Sequence, residues 1–146
     1  MVIVSTCGSG AYDGGMSAVP QPENEVDPTL EADVFSRNCS SREILQNVTS
    51  RWGLLALVAL LDGELRFNAL RRRVDGVSER MLSVTLQSLE RDGYVHREML
   101  QAIPPRVEYS LTDMGRAVAP QLRGLIDLVE GQVPAVSEAR GEYDAR

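Results

Sequence analysis

Apolar side chains recur at helical and strand intervals from about residue 40 onward, and not before it. Met1 to Asp33 has no hydrophobic period and is rich in Gly, Pro, Ser and acids, so a disordered arm is expected over 1–35. Ser40-Ser41-Arg42-Glu43 fits a capping box, with Ser40 as N-cap and Glu43 at N3, ahead of Ile44, Leu45 and Val48 on one face. A first helix is predicted here, with Cys39 at N′ packing on Ile44 as a hydrophobic staple. The run from Trp52 to Leu61 is apolar all round, as a central core helix is, and it ends at Asp62-Gly63. Phe67, Leu70 and Val74 predict a short third helix over 67–74, stopped by the Asp75-Gly76 turn signal. Ser78 caps a fourth helix, with Val77 and Leu82 as staple partners and Gly93 at its C′ position.

Two helices about a short turn make a helix-turn-helix candidate. Two extended runs follow, Tyr94 to Ala102 and Arg106 to Leu111, separated by Pro104-Pro105, and they predict a hairpin or wing. Thr112 caps a last helix whose apolar residues Val118, Leu122, Leu125 and Val129 step by 4, 3 and 4. Pro120 is expected to kink or shorten it. From Gly131, with Pro134 and alternating charge, the tail 131–146 is expected to fray. The fold class is therefore mainly α with a small β-hairpin (α+β): a winged helix-turn-helix over 36–130, flanked by N- and C-terminal helices expected to serve dimerisation.

Composition narrows the chemistry. A chain of 146 residues that is 43% apolar suits one compact domain with its own core. Cys7, Cys39 and His96 cannot supply the ligands of a zinc site, and so few cysteines do not build a disulfide scaffold. No metal or other cofactor is expected. The apolar run at Trp52 is about half the roughly 20 residues of a membrane span, and Met1 to Cys7 lacks the basic region of an export signal. No membrane partner and a cytoplasmic location are expected, with Met16 an alternative start.

Net charge is −6, which argues against nucleic acid until the charge is segmented. Residues 1–35 hold six acids and no base, and 127–146 hold five acids and two bases. The segment 36–126 holds thirteen of the fifteen basic residues against ten acids, a balance of +3. Every basic residue is arginine, the side chain that forks onto phosphates and bases, although a GC-rich genome has the same effect on composition.

Cys39, Arg51-Trp52, LRFNALRRRVDGVSERML, LERDGYVHRE and above all PPRVEYSLTDMGR resemble the HxlR-type family of bacterial transcription regulators, over about Cys39 to Glu130. The resemblance implies a homodimer that binds double-stranded operator DNA with paired winged helices. It also implies, for some members, a cysteine at the start of the first helix that senses oxidants or electrophiles, and Cys39 stands at that position. The chain differs in having Cys-Ser in place of the common Cys-Pro, Ser-Arg-Trp in place of Gly-Lys-Trp, and a longer acidic arm.

On the fourth helix, at about 100° per residue, Ser78, Leu82, Leu86 and Leu89 fall on one side. Arg80, Ser83, Val84, Gln87 and Arg91 share the opposite arc, which is free to face DNA or is simply solvated. Arg80 and Gln87 can pair bidentately with guanine and adenine edges, and Val84 suits a thymine methyl. Arg71, Arg72 and Arg73 end the third helix, where they serve phosphate contact or complement the helix dipole. Arg106 at the wing tip can reach phosphate or a minor groove, or pair with an acid such as Glu108. The stripe Val118, Leu122, Leu125 and Val129 is assigned to the dimer interface, with packing on its own core as the alternative. Cys39, with Arg37 and Arg42 nearby, is either a redox sensor or the staple residue. Cys7 could resolve an oxidised Cys39; with a start at Met16, an intersubunit Cys39 disulfide is the simplest oxidised form.

Other function classes fit less well. No Ser, His and acid grouping and no glycine-rich phosphate loop supports an enzyme. A winged helix used only for protein interaction should carry apolar anchors on the arc that bears Arg80, Gln87 and Arg91. A small-molecule effector remains the alternative to thiol sensing.

Overall fold

The computed structural model describes residues 33–146, so Cys7, Met16 and nearly all of the expected arm lie outside the described residues. The chain divides into two compact units, one ending at Ser50 and the other spanning Arg51–Arg146.

In the first unit, turns closed by Ser36 N–H to Asp33 O (2.9 Å) and Cys39 N–H to Ser36 O (3.1 Å) lead into helix α1, Ser40–Thr49. The N-cap is Cys39, not Ser40, with extended backbone at φ −83° and ψ 129° and no side-chain cap bond. Ser40 is already helical, so the anticipated capping box shifts by one residue and Glu43 cannot close it. Cys39 thus leaves N′, and with it the staple pattern. Val48 is buried, Ile44 partly so and Leu45 exposed.

The second unit is built around α2, Arg51–Ala59, whose Ala56, Leu57, Val58 and Ala59 are all buried. It tightens into a 3-10 turn, Leu60–Asp62, and stops at Gly63, where φ is 136°, a value side chains with a Cβ rarely adopt. Helices α3 (Phe67–Arg73) and α4 (Glu79–Arg91) follow. Ser78 caps α4 by accepting from Met81 N–H at 3.0 Å. Gly93, at φ 86°, closes it: Gly93 N–H donates to Glu90 O and Tyr94 N–H to Leu89 O, the paired bonds of a Schellman motif.

Strands β2 (Val95–Gln101) and β3 (Arg106–Leu111) form the anticipated hairpin. A third strand, β1 (Leu65–Arg66), was not anticipated; it pairs antiparallel with β3, giving the order β1-β3-β2. Two residues are too short for any periodicity to register. Helix α5, Asp113–Gly131, packs on α2 and runs unbroken through Pro120. Pro120 and Arg116 are both exposed, so the carbonyl that loses its intrahelical donor faces water, and the expected shortening does not occur. Nor does the tail fray: α6 spans Val133–Asp144. Pro134 sits in its first turn, where an N–H would have no helical partner, so it starts a helix instead of ending one.

Candidate nucleic-acid interface

Helix α4 is sharply two-sided. Leu82, Leu86 and Leu89 are at most 1% exposed, whereas Arg80, Val84, Gln87 and Arg91 are exposed and Ser83 is half-buried. The leucines recur at helical spacing, so burying them turns the opposite arc outward. Val84 is 49% exposed in the middle of that arc, and Met81, which the residue pattern did not single out, is exposed beside it.

At the end of α3, Arg71, Arg72 and Arg73 are all exposed. Arg71 Nη1 lies 3.9 Å from Glu79 Oε2, a surface pair of the kind worth about 0–1 kcal/mol. Arg72 and Arg73 border an open cleft with Asp62 and Glu64. The turn between α3 and α4 carries Gly76 at φ 94°, against the Trp52 ring. On the wing Arg106 is exposed and forms no ion pair among the described residues. The possible partner Glu108 instead stands opposite Glu98 on β2 and Arg66 on β1.

What holds these elements together is the stretch Leu111–Arg116. Thr112 caps α5 by accepting from Gly115 N–H (3.1 Å), while its hydroxyl donates to Gly93 O at the end of α4. Thr112 N–H donates to Tyr94 O (3.1 Å), and Arg116 Nη1 donates to Leu111 O (2.8 Å) and pairs with Asp113. A Cβ on Gly115 would collide with Tyr94 O, so only glycine allows the approach. Sequence pattern gives no sign of this clamp, because Thr112 and Gly93 are nineteen residues apart.

The stripe on α5 splits. Leu122 is buried in the core of its own unit, which removes it from the expected interface; Val118 is half-buried, and Leu125 and Val129 are exposed. At about 100° per residue the four stay within about 60° of arc, so the split runs along the helix and not around it: α5 packs on α2, and the exposed Leu125 and Val129 lie further toward its C-terminus than the buried Leu122. Exposed Leu128 and Val133 extend the outer part.

Cys39 is a buried thiol, 8% exposed, with Sγ 2.7 Å from Ser41 Oγ. Burial pushes the thiol up, but hydrogen bonds from the Ser41 side chain and from the backbone at Arg42, Ser41 and Asp33 outweigh it and leave it below its ordinary value. Hydrogen bonds at the helix start, not the Arg37 and Arg42 guanidinium groups, produce the lowering.

A capped helix with a polar outward arc, a short preceding helix and a three-stranded wing define a helix-turn-helix transcriptional regulator of the winged type. The sequence model of the HxlR-like helix-turn-helix family matches residues 47–137, and the chain belongs to that family. It is 48% identical over 115 residues to the HTH-type transcriptional regulator YtfH of Escherichia coli, itself uncharacterised, covering 79% of this chain and 91% of the relative. The solved structure of ytfH from Salmonella typhimurium superposes with a TM-score of 0.70 at 50% identity, over 73% of this chain and 96% of that one. The redox regulator HypR in its reduced form superposes with a TM-score of 0.62 at 34% identity, over 67% of this chain and 97% of that one. No single helix among the described residues is long and apolar enough to cross a membrane.

Proposed function

We propose that the chain is a sequence-specific regulator that binds double-stranded operator DNA as a homodimer in the cytoplasm, without enzymatic activity and without a cofactor. The observation that carries this reading is the division of α4 into a buried leucine side and an outward arc of Arg80, Ser83, Val84, Gln87 and Arg91. In the proposed complex this arc reads base edges, and Arg72, Arg73 and Arg106 contact the sugar-phosphate backbone. The exposed apolar side chains of α5 and α6, Leu125, Leu128, Val129 and Val133, supply the dimer face, with Val118 at its margin. Two copies place two α4 helices at half-sites about one helical turn apart.

Cys39 is the proposed point of control, supported by its lowered thiol and by the likeness to HypR, which is named a redox regulator. Two Cys39 thiols that give two protons and two electrons to an oxidant or quinone form an intersubunit disulfide. Modification at the N-cap also alters the start of α1. A small-molecule effector takes this place if Cys39 proves inert.

Base-by-base binding measurements test the reading. Arg80→Ala and Gln87→Ala should each cost about 1–3 kcal/mol at particular base pairs and relax preference there, and Arg73→Ala should weaken all sequences about equally. Uniform losses from all three remove α4 from the recognition role.

A further inference from the structure

Past Val95 the hairpin leaves the core: every residue of β2 from His96 onward is exposed. Met99 is 54%, Leu100 49% and Ile103 87% exposed, so the tip is an apolar ridge in water. Hairpin tips ordinarily carry Gly, Asn or Asp, and here the sequence is Ala102-Ile103-Pro104-Pro105. The ridge is held in shape. Gln101 Nε2 donates to Ile103 O at 2.9 Å, and two prolines fix their own φ. The register slips between Met99 and Gln101, which face Val107 and Arg106, so Leu100 is an extra residue that re-aims its neighbours.

From Met99 to Arg106 the only ionised side chain is Arg106. Arg97 lies further down β2, and the carboxylates nearest the tip, Glu98 and Glu108, pair across the strands one step closer to the base. Three side chains on a narrow ridge cannot cover the roughly 800 Å² per partner of a stable protein interface. The minor groove of DNA is about 6 Å wide, too narrow for a whole two-stranded ribbon but wide enough for its tip. Proteins that bind there read the groove with side chains such as arginine and frequently insert apolar wedges between base steps.

We propose that the wing tip is a minor-groove wedge, in which Ile103, backed by Pro104 and flanked by Arg106, partly unstacks one base step beside each half-site and bends the DNA. The inference rests on the DNA-binding reading and deepens it. Glu98 and Glu108 repel phosphate and set the depth of entry at the tip.

The test uses the full-length chain and a duplex that it selects from a random-sequence pool, with 2-aminopurine placed in turn through the flanks and a dye pair at the ends. Wild type should raise the 2-aminopurine fluorescence at one step per half-site and shorten the end-to-end distance. Ile103→Ser should return both signals to those of free DNA while leaving the thermal midpoint and the salt slope unchanged. Ile103→Phe should retain both. Arg106→Ala should reduce the salt slope by about one. An Ile103→Ser protein that binds, unstacks and bends like wild type overturns the wedge, as does a wild-type complex with no fluorescence change. A wild-type chain that enriches no duplex from the pool overturns the DNA-binding reading itself.

Discussion

At Gly115 a single added carbon would run into the Tyr94 carbonyl, a backbone group with nothing flexible to give way. Gly115→Ala should therefore destabilise by about 1–3 kcal/mol, the range for overpacking. Gly124, in the same helix, has nothing within 4 Å of the point where a Cβ would stand, and Gly124→Ala should instead stabilise by about 1 kcal/mol through helix propensity. Thermal or urea unfolding of the two variants checks both signs. Cys39 is the other residue with a sharp expectation. Its lowered folded-state value means that the native protein holds fewer protons than the unfolded chain in the window between the two thiol values. The contribution of Cys39 to stability is complete above the unfolded value, about 8.5, and is lost as pH falls through the lower folded one. Alkylation rates of a Cys7→Ser protein against pH should give a midpoint below that of the same protein in urea. Coincident midpoints would mean that Ser41 and the helix start do not favour the thiolate.

At the scale of the element, α5 serves two masters and its residues separate accordingly. Leu122 is buried in the core of its own unit, and Leu122→Ala should cost about 2–5 kcal/mol of unfolding free energy. Leu125 is 47% exposed, so Leu125→Glu should leave the fold intact. In the proposed dimer, however, the same change places a charge in an apolar seam, which costs several kcal/mol unless it is neutralised. Sedimentation should report monomer, with weaker DNA binding. A Leu125→Glu protein that stays dimeric would place the interface on another surface. Helix α4 shows the same division of labour with the opposite result, because its exposed side carries Arg80, Gln87 and Arg91 around Val84.

For the whole molecule the decisive quantity is the distribution of charge, not its sum. The chain carries −6, yet residues 36–126 carry +3 and hold Arg72, Arg73, Arg80, Arg91 and Arg106 on exposed positions. Affinity for DNA should fall linearly with salt on logarithmic axes, at about −0.9 per phosphate contacted. A flat response, with no preferred fragment, would contradict the proposed function at its root.

Local pattern alone determined the order of the main elements, the Ser78 cap, the Gly93 stop, the hairpin and the two sides of α4, because each is written in residues close together in the chain. Leucines at helical spacing choose the buried side of α4 whatever surrounds it. Tertiary structure decided what depends on a distant partner. Strand β1 exists because β3 offers it an edge, and Leu122 is core because α5 packs on other elements of its unit. Gly115 is obligatory because Tyr94 crosses its path. Caps, stops and periods are short-range balances of hydrogen bonding and burial, legible from one segment; pairing, packing and close approach are properties of two segments, and only the folded chain brings the two together.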